Sequence, residues 1–319
     1  MTIRTLGLAI LGCFSAAICS FGAVDKGLLA LVPQNAQVVA GINVAASRDS
    51  DFGQYLSTRF NTDMRGLEEF TAETGFDPRR DLQSVLFASA SPVGDSQNLK
   101  GIVLARGTFD ESKIRSVALA KGAVVQTFSG VDVYVQGSGH QQNAFTFLRK
   151  DVFATGSAAQ LQQAIANRSV PATLNGQLRK LISQAGTNND VWFATIAPAS
   201  RFPMHFGPDT DQALGGSQTL QAISAASGGI RFGSSVEITM DAIARSDKDA
   251  SALADVLRFG ASLLRASGQS DGHSTALASA LEQMLVTTSG QNVHLTLSMP
   301  EATIEQLAET RPQRRRLAH

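Results

Sequence analysis

The stretch GIVLARGTFDESKIRSVALAKG, residues 101–122, has the pattern of a strand followed by a helix. Five of its first six residues are apolar or glycine, which is typical of a buried strand. Thr108 or Asp110 then offers a side-chain oxygen to cap a helix, and Gly122 suits the position after its last turn. The packed side of this helix is predicted to hold three apolar residues, Ile114, Val117 and Leu119.

A second stretch, residues 236–265, repeats this order of strand and helix. The two stretches match over 101–118 and 236–253, and an earlier strand at 38–43 matches 191–196. The sequence therefore predicts an internal duplication, with a first α+β half at 24–186 and a second α+β half at 187–310. Ile102 and Leu104 are expected to lie on the core face of the first strand and to meet the apolar side of the following helix, and Ile238 and Met240 are expected in the matching positions of the second half.

Each half is predicted to run strand, helix, strand, strand, helix and then further strands. This is a split β-α-β, ferredoxin-like pattern, so we expect an α+β fold with helices packed on mainly antiparallel sheets. Strands are predicted at 37–44, 82–90, 101–107, 124–128, 131–136, 144–148, 152–155, 191–197, 230–232, 236–244 and 293–299. Helices are predicted at 52–70, 110–122, 158–166, 174–185, 219–226, 246–266, 275–286 and 300–309. Turns and loops are predicted at 48–50, 76–81, 91–98, 129–130, 186–189 and 198–216.

The N-terminus has the pattern of a secretory signal peptide. Arg4 is the only charged residue before Asp25, and an apolar segment rich in small residues lies between them. We predict a signal peptide at 1–23, cleaved after Gly22 or Ala23. An uncleaved anchor and a lipoprotein attached through Cys13 remain alternatives. The protein is therefore expected to be exported, to the periplasm or the extracellular space, with no transmembrane span in the mature chain.

Cysteine and charge exclude several classes of chemistry. Cys13 and Cys19 both lie in the predicted leader, so the mature chain has no disulfide, thiolate nucleophile or cysteine metal ligand. Four of the 27 basic residues lie in the tail at 311–319, which is predicted to be a disordered basic end. The remaining body is mildly acidic, which argues against nucleic acid as a partner. The partner is not identified by sequence, and a protein or the cell envelope is a possible one.

Short motifs give no firm catalytic site. Residues 268–272 fit G-x-S-x-G, but a predicted helix precedes Ser270, whereas a hydrolase nucleophile follows a strand. We interpret this segment as a polar linker, with His273 solvated beside it. Pairs of aspartates at 49 and 51 and at 247 and 249 are interpreted as helix caps.

Two further groups of residues are candidate binding sites. A metal site would need His205 to converge with Asp209 and Asp211, and a solvated loop is the simpler interpretation. Four aromatic residues could form a ligand platform, but we expect them to be buried in the core: Trp192, Phe193, Phe145 and Phe147. No catalytic, cofactor-binding or metal-binding residue is assigned, and no cofactor is expected.

Several segments resemble a family of secreted acidobacterial proteins to which no activity is attached. The similar segments are LALVPQNAQVVAGINV at 29–44, FDPRRDLQSVLFAS at 76–89, GIVLARGTFD at 101–110, ASGGIRFG at 226–233 and ADVLRFGASLL at 254–264. The resemblance implies secretion and no particular substrate or site. We therefore expect an exported, non-enzymatic protein with a structural or binding role. The alternatives are a periplasmic hydrolase with an unrecognised site and a carrier of an apolar ligand between the halves.

Overall fold

The structure is a computed structural model. It describes residues 24–50, 65–91, 101–137, 143–199, 221–233, 235–267, 281–300 and 303. Those residues form a single antiparallel sheet of twelve strands with helices on both faces, which confirms the predicted α+β class. The split ferredoxin-like pattern stays a prediction.

The elements are numbered here in chain order. The strands are β1 Val38–Asn43, β2 Leu82–Ser89, β3 Gly101–Gly107, β4 Val124–Phe128, β5 Val131–Gln136, β6 Asn143–Arg149, β7 Val152–Gly156, β8 Val191–Thr195, β9 Ile223–Arg231, β10 Ser235–Ala244, β11 Leu285–Ser289 and β12 Asn292–Pro300. The helices in the described parts are α1 Lys26–Leu29, α2 Val44–Asp49, α3 Arg65–Thr74, α4 Pro78–Asp81, α5 Glu111–Ala120, α6 Ala158–Asn167, α7 Gly176–Asn188 and α8 Asp247–Ser267.

The strand order across the sheet is β11-β12-β10-β9-β8-β1-β2-β3-β7-β6-β5-β4. The first strands of the two predicted halves, β1 and β8, lie side by side at the centre, with Gly41 opposite Trp192. On one side β1, β2 and β3 run outward in chain order, and on the other side β8, β9 and β10 do so. A helix, α5 or α8, follows the third strand of each series. The sheet therefore continues without interruption from one half into the other.

One face of the sheet, called the core face here, is covered by α1, α6 and α7. Alternate strand residues such as Val39, Leu86 and Leu104 point to it and form one buried cluster with Leu28, Leu161 and Leu178 of those helices. The side chains between them point to the opposite face, because successive strand residues alternate. There α5 places the Arg115 guanidinium 5.8 Å from the centre of the Tyr134 ring. The α8 residues Ala250, Leu253 and Ala254 pack on Val286 and Val293 of the same face.

Local capping follows the sequence closely. Asp110 caps α5 by accepting a hydrogen bond from the Lys113 N–H, and Gly122 follows that helix with φ +84°. Ser157 and Gln160 form a capping box at α6, and the hydroxyl of Ser246 accepts from the Asp249 N–H at the start of α8. The predicted hairpin turn at 129–130 connects the antiparallel strands β4 and β5.

Several sequence predictions are wrong. Residues 223–226 of the predicted 219–226 helix belong to β9 instead, because small residues fit between β8 and β10 with strand pairing on both sides; residues 219–220 lie outside the described residues. Residue 286 is in β11 rather than a helix, where Val286 packs under α8. Pro300 does not open a helix but is the last residue of β12, opposite Ser235, where a missing N–H is tolerated. The predicted turn at 48–50 overlaps the end of the short helix α2, and the predicted loop at 76–81 contains the short helix α4.

Three packing predictions also fail. Gly186 does not end α7 but lies inside it, where Val24 and Trp192 approach its backbone too closely for a side chain. Leu119 was expected on the packed side of α5 and is 49% exposed. Ile102 and Leu104 point to the core face as expected, but α5, the helix expected to pack against them, lies on the other side of the sheet.

Candidate functional site

The candidate residues named by sequence lie partly inside and partly outside the described residues. Asp247 and Asp249 lie in the first turn of α8, as the capping interpretation requires, and Asp49 is the last residue of α2. Six others lie outside the described residues: Ser270, His273, His205, Asp209, Asp211 and Asp51. Within the described residues no group of three or more His, Cys, Asp or Glu is placed to hold a metal ion.

The four aromatic candidates divide between two environments. Trp192 on the core face and Phe147 on the opposite face are buried, as expected. Phe145 and Phe193 are only half-buried and share the face of Phe147. The burial prediction is therefore correct for two of these residues and incomplete for the other two.

A pocket opens on the core face where the two halves meet. Its volume is about 310 Å³, and its walls come from α1, β1, β2, the end of β3 and the start of the second half. Asp25, Gln83, Ser84 and Arg106 contribute polar groups, and Trp192 forms an apolar wall. Sequence patterns could not find this site, because its members are single residues from distant segments.

Asp25 and Arg106 form an ion pair at the rim of this pocket. Arg106 donates from Nε to Asp25 Oδ2 over 2.6 Å and from Nη2 to Asp25 Oδ1 over 3.2 Å, while its Nη1 pairs with Asp151. Asp25 also accepts from the Ser84 hydroxyl and from the Leu28 N–H. Partial burial would raise the pKa of the Asp25 carboxyl, but the hydrogen bonds from Arg106, Leu28 and Ser84 outweigh it and hold the pKa below its ordinary value of 3.8.

Two glycines make room for the Trp192 indole beside the pocket. A Cβ atom added to Gly41 would lie 2.5 Å from the indole ring, and one added to Gly186 would lie 3.3 Å from it. The second added atom would also overlap Val24. The indole is thus enclosed between β1 and α7, which fixes the edge that it presents to the pocket.

The opposite face of the sheet carries two neighbouring rows of apolar side chains, called the apolar face here. The first row crosses eight strands through directly paired residues: Phe153, Ala105, Val85, Ile42, Val191, Ile230, Ile238 and Leu297. The second row is parallel to it: Thr155, Val103, Phe87, Ala40, Phe193, Gly228, Met240 and Leu295.

Part of the apolar face is open to solvent. Ile42 is 42% exposed and Met240 is 43% exposed, and most of the other side chains in the two rows are only half-buried. Neither row contains a charged residue, and its one hydroxyl, on Thr155, is bonded to the Ala144 carbonyl. Met240 was predicted to be a core residue, and its exposure corrects that prediction. The sequence does contain a signal for an apolar face here. Along 236–242, Val, Ile, Met and Ala alternate with Glu, Thr and Asp, so the apolar side chains share one face of the strand.

Stacked aromatic rings border the apolar face at one side. The Tyr134 and Phe145 rings are 5.1 Å apart and nearly parallel, and the Phe145 and Phe153 rings are 5.6 Å apart. Phe109 continues the column to Phe76, at 5.1 Å. These rings form the border of the apolar face in the first half, and α8 forms its border in the second half.

A polar row crosses the core face in the second half, beyond α7. Ser227, Asp241, His294 and Thr287 occupy directly paired positions, and His294 Nδ1 lies 2.7 Å from Asp241 Oδ1. A serine nucleophile needs the imidazole between hydroxyl and carboxylate. Here the carboxylate lies between Ser227 and His294, so this row does not provide Ser227 with a general base.

The fold places this chain among α+β proteins built on one large antiparallel sheet. No protein-family model matches the sequence, and no curated protein matches it. Two solved structures of TP0453 are similar. Crystal form III has a TM-score of 0.51 at 10% identity and covers 90% of this chain and 98% of that chain. Crystal form IV has a TM-score of 0.45 at 10% identity, with 88% and 96% covered.

At this identity the likeness concerns the fold alone. The resemblance to secreted acidobacterial proteins stays a prediction. Among the described residues, no helix combines the length and the apolar character needed to cross a membrane.

Proposed function

We propose that this is an exported, non-enzymatic binding protein that holds an apolar ligand on its apolar face. One observation carries the proposal: two charge-free rows of partly exposed apolar side chains cross the junction of the halves. The first row spans eight strands, so it is about 34 Å long at the usual distance between strands.

The energetics favour a binding role for this surface. Exposed apolar area is costly in water, by about 25 cal/mol per Å², and a contiguous patch marks an interaction site more often than scattered apolar residues do. A ligand that covers Ile42, Phe193 and Met240 would recover that cost. Charged ligands gain nothing there, because the rows offer neither a counter-ion nor an unspent hydrogen-bonding group.

Export and duplication belong to the same proposal. The leader at 1–23 supports export to the periplasm or the extracellular space. Duplication is supported by the equivalent strand order on either side of the β1–β8 pair. In each half the last strand, β7 or β12, returns to lie beside the third strand, β3 or β10. A duplicated sheet would place the ligand face across the junction of its two copies.

The test is binding of the neutral dye 1-N-phenylnaphthylamine and its displacement by the neutral alcohol 1-hexadecanol. We expect saturable dye fluorescence with the wild-type chain. Met240→Glu and Ile42→Glu should each weaken dye affinity by about tenfold or more, because a buried unpaired carboxylate is costly. Thr287→Glu is the matched control, because Thr287 is exposed on the other side of the sheet, opposite His294. Equal dye binding by all four proteins would refute the proposal.

A further inference from the structure

We infer that the pocket on the core face binds a second ligand, a small neutral molecule rich in hydroxyl groups, such as a single sugar ring. The pocket volume, about 310 Å³, is within the range of small-molecule sites. Asp25, Ser84, Arg106 and Trp192 of this pocket lie on the side of the sheet opposite the apolar face, and Ile42 and Val85 of the apolar face reach only its rim. The inference therefore goes beyond the proposed function and does not depend on it.

The charges at the pocket are already neutralised within the protein. Arg106 uses Nε and both terminal nitrogens on Asp25 and Asp151. Asp25 uses both oxygens on Arg106, Ser84 and the Leu28 N–H. A charged ligand would have to compete with these partners, whereas a neutral ligand leaves them intact.

Unspent hydrogen-bonding groups remain on the pocket wall. Within the described residues, the indole N–H of Trp192 and the side-chain amide of Gln83 have no recorded hydrogen-bond partner. Asn43 accepts from the Ala46 N–H through Oδ1, which leaves its amide nitrogen as a donor. All three residues line the pocket.

This set of groups selects the chemistry of the ligand. Amide groups both donate and accept, and the indole N–H only donates. A hydroxyl group both donates and accepts hydrogen bonds. Several hydroxyls on a compact ring would therefore bond with more of the polar groups on the pocket wall than a hydrocarbon could. The apolar surface of Trp192 and Leu28 then packs against the C–H groups of such a ring.

Trp192 is the only tryptophan of the chain, so its fluorescence reports on this pocket alone. The experiment titrates the full chain with glucose and N-acetylglucosamine, and separately with glutamate and inorganic phosphate. Trp192 emission and isothermal titration calorimetry are followed together. We expect saturable binding of a neutral sugar and none of the charged probes.

The matched variants are Gln83→Leu in the pocket wall and Gln126→Leu, an exposed residue of β4. Loss of one or two neutral hydrogen bonds should weaken sugar binding about three- to tenfold for Gln83→Leu and leave Gln126→Leu unchanged. The inference is overturned if neither sugar binds by either measurement, if the charged probes bind more tightly, or if the two variants bind alike.

Discussion

Arg106 Nε on β3 lies 2.6 Å from Asp25 Oδ2, although the two residues are 81 positions apart. Asp25 also caps α1, so this ion pair fastens the first helix of the fold to a central strand. Both side chains are mostly shielded, at 21% and 18% exposed. The pair therefore contributes more to stability than an exposed ion pair, whose median contribution is about 0–1 kcal/mol.

Asp25→Asn should lower the free energy of unfolding at pH 7 by about 1–3 kcal/mol, the range for hydrogen bonds to charged groups. The pKa of Asp25 is held below 3.8 in the folded state, so its contribution is present above that pH and is lost as the pH falls through the folded value. The difference between variant and wild type should therefore shrink in acid. Urea denaturation at pH 7, 5 and 3 measures it.

Asp110→Asn is the control for this ion pair. Asparagine caps a helix as well as aspartate does, so both variants keep their caps and only Asp25→Asn loses the strong pairing with Arg106. Asp110 is exposed, and Asp110→Asn should stay within about 0.5 kcal/mol of wild type. Equal effects of the two substitutions would contradict the role given to Arg106.

The two faces of the sheet should respond differently to truncation. Leu104 is fully buried on the core face, so Leu104→Ala should cost about 2–5 kcal/mol. Met240 is 43% exposed on the apolar face, so Met240→Ala should cost less than about 1 kcal/mol. Chemical denaturation of both variants checks this, and a large loss for Met240→Ala would mean that the apolar face is covered in the free protein.

Replacement of Ser227 by alanine should stabilise the folded protein. Its side chain is buried, and its hydroxyl has no hydrogen-bond partner within the part of the chain that the structure describes. Ser227→Ala removes this unpaired polar group and should stabilise the fold by about 1 kcal/mol. Ser224→Ala, which loses a hydrogen bond to the Ile243 carbonyl, should destabilise it instead. Thermal melts of both variants decide, and a loss for Ser227→Ala would reveal a missed partner.

Sequence patterns predicted most strands and caps because those depend on near neighbours. The segment 101–122 gave β3, α5 and the Asp110 cap within a few residues of their positions. Ile102 and Leu104 face the core as predicted, but the prediction that α5 packs against them was wrong. Nothing local to Leu104 indicates that α5 crosses to the other face.

The 219–226 segment failed for a related reason. Its alanines favour a helix in isolation. In the sheet, Gly228 is opposite Phe193 and Met240, and Gly229 is opposite Trp192 and Thr239. Because the neighbouring strands place large side chains such as Phe193 and Met240 at these positions, small residues are favoured in the strand between them. The pocket was invisible to the sequence because Asp25, Arg106 and Trp192 share no motif.

The leader should be cleaved just before Val24. Val24 packs against the backbone of Gly186, and Asp25 holds Arg106, so the fold uses the chain from residue 24 onward. Mass spectrometry of the exported protein should find a start between residues 22 and 24. A chain starting at Lys26 loses both contacts and should unfold at lower denaturant concentration. Finding intact Met1 on cytoplasmic protein would contradict export.

Gly41→Ala should destabilise the protein by overpacking, although alanine suits a strand better than glycine. The added methyl would lie 2.5 Å from the Trp192 ring, which is held from the other side by Gly186. Overpacking of this kind costs about 1–3 kcal/mol. Gly176→Ala is the control, because nothing lies within 4 Å of its added Cβ at the start of α7. It should be neutral or gain up to about 1 kcal/mol.

A double variant tests whether the stability cost of Gly41→Ala comes from contact with the Trp192 indole or from strain in the backbone at Gly41. Trp192→Phe alone should cost stability, because it removes part of a buried ring. Combined with Gly41→Ala it should cost less than the sum of the two single changes, since the smaller ring leaves room for the methyl group. Circular dichroism melts of the four proteins give the coupling. Strict additivity would mean that the Gly41 backbone, rather than its contact with Trp192, requires glycine.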